Sequence, residues 1–223
     1  MTESEWVKCR DLTKMMRVVD PRQFDRKLRL FAVACCRRVE ELLRDDDAKR
    51  LLVLTEKVAD DAAELESLRP LWAEVPFYPH AEGAVKQAVA LDCASWQASA
   101  DCYRRAAQDA ETATADTIAG EGAGAAQEKY ERRGRERLAQ FALLRDVVSN
   151  PFRPVAFSAE WRTDTAIAIA RQMYESRDFS TMPILADALQ DAGCDNDDIL
   201  NHCRQPGEHV RGCWVVDLVL DKE

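Results

Sequence analysis

The chain contains no Cys-x-x-Cys pair, no Glu-x-x-His and almost no strand-like alternation, Val215-Val216 and Leu218-Val219-Leu220 being a short candidate. Each absence removes a class of protein. Without Glu-x-x-His the helical carboxylate signature of di-iron bundles is missing. Gly120-Glu-Gly-Ala-Gly124 lacks both a preceding strand and the Lys-Ser/Thr of a phosphate loop, so it is expected to be a linker. Glycine and proline are scarce, at eight each in 223 residues, and the prolines fall mostly between periodic segments. The longest strongly apolar run, Leu30 to Cys36, is far short of the ~20 residues that a membrane span needs. Met1-Thr-Glu-Ser-Glu-Trp-Val-Lys8 shows no basic stretch followed by an apolar one, so no secretory signal and a cytoplasmic location are expected. In that compartment the eight cysteines, including vicinal Cys35 and Cys36, are expected to be reduced thiols packed as small hydrophobes.

Positive charge is also in deficit. A net charge of −9 argues against a nucleic-acid partner, because phosphate binding needs a dense cationic face. The local exception is Arg132, Arg133, Arg135 and Arg137. Glu128, Glu131 and Glu136 interleave with them, which favours a solvated, ion-paired helix face.

What is abundant is helix-forming sequence. Asp20-Pro21-Arg22-Gln23 announces a first helix, with a cap, a proline at the first position and a residue able to reach back. Phe24, Leu28, Phe31, Cys35, Val39 and Leu42 then recur at helical spacing. Asp45-Asp46-Asp47 caps a second helix striped by Leu51, Leu54, Val58, Ala62 and Leu65. Arg69 to His80 holds three prolines and is expected to be a connection, with Trp72, Phe77 and Tyr78 as lids on the core or as interface anchors. A third long helix runs from about Ala81 through Tyr103 and Ala107. A fourth has Tyr130, Leu138, Phe141, Leu144 and Val148 in register, with Gly134 suited to a close crossing, and stops at Ser149-Asn150-Pro151. Beyond it, helices are expected over Thr163–Glu175, Thr181–Ala192, Asp195–Arg204 and roughly Glu208–Leu220. The pattern predicts an all-α fold: an irregular bundle of about four longer helices over residues 1–149, and a compact C-terminal helical subdomain over 150–223 packed on it.

The last thirty residues gather Cys194, His202, Cys203, His209 and Cys213. Structural zinc takes four ligands in tetrahedral array. His209 and Cys213 stand four apart, which a helix would place on one face. Cys194 and Cys203 would be separated along a helix by about 12 Å, so both cannot reach one ion. His202 and Cys203 are neighbours about 100° apart, so only one would point inward. At most three ligands remain, and Arg204 and Arg211 disfavour a cation. The spacing therefore favours a packed corner, with Cys203, Cys213 and Trp214 buried, over a zinc site at His202, Cys203, His209 and Cys213. A nucleophilic Cys213 with His209 as its base is a further possibility of the spacing, but no orienting third residue or oxyanion donor accompanies it.

Two blocks carry a resemblance. Asp25-Arg-Lys-Leu-Arg-Leu-Phe-Ala-Val-Ala-Cys-Cys-Arg-Arg38 is one. The other begins Leu144-Arg-Asp-Val-Val-Ser-Asn-Pro-Phe-Arg-Pro-Val155 and continues through Leu185 to Cys194 and His209-Val-Arg-Gly-Cys-Trp-Val-Val-Asp217. Together they resemble a family of bacterial hypothetical proteins, expanded in planctomycete-type genomes, whose similar blocks flank an Ala-rich middle. The resemblance implies one architectural unit at the two ends and carries no activity or site. The expected function is a non-enzymatic helical scaffold or protein-interaction module. It would have a protein partner or self-association, no nucleic acid, no membrane and no cofactor. The alternative is a zinc or reactive-thiol protein using the C-terminal cluster.

Overall fold

The structure, a computed structural model, describes residues 1–19, 21–43, 45–74, 99–119 and 122–222. The expected cap Asp20, the aromatics Phe77 and Tyr78, His80 and the third helix before residue 99 lie outside the described residues. The fold is all-α, with no strand among the described residues, and no described helix is long and apolar enough to cross a membrane.

The chain begins with two short helices, α1 (Glu3–Lys8) and α2 (Leu12–Met16). Thr2 and Glu5 cap α1 reciprocally, each side chain accepting from the other's backbone N–H. The bundle follows: α3 (Pro21–Arg37), α4 (Asp46–Asp60), α5 (Leu65–Glu74), α6 (Ser99–Asp116) and α7 (Ala123–Val148). α3 is central and packs against α4, α6 and α7. Its expected stripe explains this, since Leu28, Phe31, Cys35 and Val39 are all buried. Side chains such as Leu28 and Phe31 each contribute about 1.5–3 kcal/mol by leaving water. Asp45 caps α4 as its acidic run suggests, accepting from the Asp47 N–H.

The C-terminal layer holds α8 (Asp164–Ser176), α9 (Met182–Asp191), α10 (Asp197–Arg204) and α11 (Trp214–Leu220). Thr163 caps α8 and Asn196 caps α10, each accepting from backbone N–H groups of the first turn. Met173, Leu185, Leu189, Ile199, Cys203 and Val216 form an apolar cluster of their own, separate from the one around α3. α11 touches α8, α10 and also α7, so it lies at the junction of the two layers.

Four expectations change. Arg69–Glu74 is helix rather than connection: α5 runs through Pro70, at the cost of one backbone hydrogen bond. Trp72 accordingly sits on a helix, half-buried against the core around α3, as a lid would. The stripe assigned to the fourth helix holds in its C-terminal part, where Phe141, Leu144 and Val148 are buried, and fails before it, where Tyr130 and Leu138 are 75% and 48% exposed. α7 also turns inward Glu136, Gln140, Leu143, Asp146 and Val147. Gly134 has nothing within 4 Å of where a Cβ would stand, so it permits no close crossing. The last helix begins at Trp214, which leaves 205–213 as an irregular segment.

An ion-pair lattice joins the layers. Asp217 of α11 accepts from Arg26 of α3 at 2.7 Å and also pairs with Lys27. Asp60 of α4 accepts from Tyr174 of α8 at 2.6 Å, and Arg211 reaches it at 2.8 Å. Glu56, buried, is shared by Arg37, Arg177 and Arg211. Such pairs hold geometry more than they add stability, but losing one partner would strand a buried charge.

Candidate metal centre

Asp146 sits in the last turn of α7, where the negative end of the helix dipole disfavours an acid. It is held there by three donors. The backbone N–H of Val210 reaches Oδ2 at 3.0 Å. His209 Nδ1 and His202 Nε2 approach Oδ1 at 2.6 and 3.1 Å. Burial pushes the Asp146 carboxyl up, but the hydrogen bonds from His202 and His209 outweigh it and hold it below its ordinary value.

Cys213 completes the group. Its Sγ lies 3.2 Å from His202 Nε2 and 3.9 Å from His209 Nδ1. The segment before it is turned by a hydrogen bond from the Cys213 N–H to the Val210 carbonyl. Gly212 has φ +96° and lies on α3, where a Cβ would meet Leu30 Cδ1 at 2.8 Å. Only glycine fits that position. The side chains of Asp146, His202 and His209 are 4%, 10% and 7% exposed, and Cys213 is fully buried.

The ligand-type atoms of Asp146, His202, His209 and Cys213 all lie within 4.8 Å of one another, so the group could hold a metal ion. Three of the four residues proposed from sequence therefore converge. The fourth, Cys203, is buried in the C-terminal apolar cluster and stands outside the group. Its place is taken by Asp146, fifty-six residues before His202. His209 and Cys213 meet through the irregular turn rather than along a helix. Arg204 pairs with Asp187 at 2.9 Å and Arg211 with Asp60 at 2.8 Å, so both charges are engaged by carboxylates.

Geometry disfavours a nucleophilic thiol. Cys213 has no accessible surface, and burial pushes its thiol far above its ordinary value, the reverse of what reactivity requires. His202 Nε2 touches both the thiol and Asp146, whereas a triad histidine uses opposite ring nitrogens. The far nitrogen of His202 accepts from the indole of Trp214 at 3.1 Å. Trp214, expected to be buried, is half-buried with its ring tilted over His202.

Comparison with family models, with curated proteins and with solved structures returned no match.

Proposed function

We propose that the Asp146–His202–His209–Cys213 group is a structural zinc centre that fastens the C-terminal layer of a helical scaffold to the end of α7. The observation that carries this reading is the charge and chemistry of the four donors in one dry place. One carboxylate and one thiolate would cancel the two charges of the ion, so a buried centre would be neutral overall. Two imidazoles complete the mixed nitrogen, sulfur and oxygen set that suits tetrahedral zinc. Four protein ligands leave no open position, which favours structural over catalytic use.

Zinc bond lengths imply ligand separations of roughly 3.3–3.6 Å. The His209–Asp146 contact at 2.6 Å is a hydrogen-bonded contraction of such a tetrahedron, and an entering ion spreads it while drawing in the widest pair. Loading displaces the Cys213 thiol proton, so affinity falls as pH falls. Supporting the scaffold role, the ligands come from α7, α10 and the segment before α11, elements an ion would tie together.

Elemental analysis of the full chain, purified without chelator, tests the reading. Stoichiometric zinc is expected in the wild type and should be lost in Cys213→Ser, with a lower melting temperature on chelation. A metal-free protein whose melting ignores both chelator and added zinc would overturn it.

A further inference from the structure

The helical registers that bury Trp6 and Glu136 leave two aliphatic side chains in water. Residues adjacent on a helix point about 100° apart, so α1 turns Val7 outward as it buries Trp6. On α7, Leu138 stands two residues from both Glu136 and Gln140, which face inward, and so lies on the far side. Val7 is 59% and Leu138 48% exposed. Both line one groove between α1 and α7, of about 410 Å³, with Cys9 and Phe141 also on its walls.

Positive charge borders this groove unanswered. Lys8, Arg10 and Arg145 line it, and no carboxylate does. Arg145 directs its N–H groups at the Trp6, Cys9 and Phe141 carbonyls, none of them charged. Burial pushes the Arg145 guanidinium below its ordinary value, and the neighbouring charge of Arg10 adds to this. Lys8 and Arg10, both exposed, form no ion pair among the described residues. The cavities on either side do hold acids, but these are engaged. Glu5 accepts from the Thr2 N–H at 2.7 Å, Asp11 from the Lys14 N–H at 3.1 Å, and Glu111 from Arg137 Nε at 3.1 Å. A strip of uncompensated cations thus flanks wet aliphatic surface in a protein whose net charge is −9.

The two halves of this surface call for one ligand carrying both chemistries. A small anion would answer the cations and leave Val7 and Leu138 wet. A purely apolar segment would cover those two and bring no charge to Arg10. We infer that the groove docks an acidic amphipathic helix of a partner protein, its apolar edge on Val7, Leu138 and Phe141 and its carboxylates on Lys8, Arg10 and Arg145. A channel between two helices is the seat that a third helix takes. The inference does not rest on the zinc centre.

Fluorescence anisotropy of the full chain tests it, with a labelled synthetic peptide bearing leucines at i, i+3, i+4 and i+7 and glutamates elsewhere. Two further peptides carry glutamine in place of every glutamate, or glutamate in place of every leucine. Saturable binding of the first peptide alone is expected, weakening as salt is raised. Arg10→Glu should weaken it about fivefold by turning attraction into repulsion. Leu138→Ser should weaken it about fivefold by removing apolar contact. Both positions are exposed, so neither change disturbs the core. No saturable binding of the leucine–glutamate peptide overturns the site. So does equal binding of either companion peptide, or an affinity that either substitution leaves unchanged.

Discussion

The indole N–H of Trp214 donates to His202 Nδ1 across 3.1 Å. An indole can only donate, so Nδ1 carries no hydrogen and Nε2 must bear it, directed at Asp146. A neutral imidazole binding an ion through Nε2 needs the hydrogen on Nδ1 instead. Zinc and the Trp214 hydrogen bond are therefore mutually exclusive. The magnitudes choose between them: structural zinc is worth about 10–16 kcal/mol at neutral pH, a neutral hydrogen bond about 1 kcal/mol.

Metal loading should thus change the surroundings of Trp214. Its fluorescence is expected to shift as zinc is titrated into chelated protein, and Trp214→Phe should tighten zinc about fivefold by removing the bond that must break. Equal affinities of the two proteins, measured by competition with a chromophoric chelator, would count against the tautomer argument.

Asp146 matters even without an ion. Asp146→Ala leaves the donors of His202, His209 and Val210 facing a void. Urea denaturation in chelator should show a loss of about 3–5 kcal/mol. A loss under about 1 kcal/mol would mean that water or a neighbour replaces the carboxylate readily.

Gly212 and Gly193 form a matched pair. Both have positive φ, but a Cβ on Gly212 collides with Leu30 while one on Gly193 meets nothing. Gly193→Ala should cost about 1 kcal/mol from the backbone alone. Gly212→Ala should cost about 2–4 kcal/mol and weaken zinc as well, since the turn between His209 and Cys213 must lift from α3. Equal losses by chemical denaturation would remove the packing argument.

Asp60 predicts an acid limb in stability. Burial pushes its carboxyl up, yet the hydrogen bond from Tyr174 and the charge of Arg26 outweigh that and leave it below its ordinary value. With the folded value below the unfolded one, the stabilisation is complete above about pH 4 and drains away as pH falls further. Asp60→Asn should therefore be less stable than wild type at neutral pH, with the gap narrowing as pH falls below about 4. Parallel curves across that window would exclude Asp60 as the source.

The helices that announced themselves did so through local chemistry. Thr163 and Asn196 cap α8 and α10 within a residue or two of their expected starts, and the α3 stripe is buried as its spacing demands. Failures share one cause. On α7 the inward face carries Glu136, Gln140 and Asp146, so apolar periodicity pointed to Tyr130 and Leu138 on the wrong side. Those polar residues are inside because partners come from elsewhere: Arg38 for Glu136, the Ala107 carbonyl for Gln140, two histidines for Asp146. No pattern on one helix can display a partner on another. The usable signal was an acid in the final turn of a helix among Leu143, Leu144, Val147 and Val148, a place where only a committed donor would keep it. The last helix starts at Trp214 rather than near Glu208 because the bend before it depends on Gly212 lying against Leu30, some 180 residues earlier in the chain.

The clasp of Arg26 with Asp217 spans 191 residues. During synthesis Arg26 and Lys27 emerge long before Asp217. Closing so long a loop adds little entropy beyond that of a shorter one, but the water around both charges must be stripped as the surfaces meet. Until α11 seats, Arg26 has Asp60 alone to answer it and Lys27 lacks its carboxylate, so docking of α11 completes the charge pairing of α3.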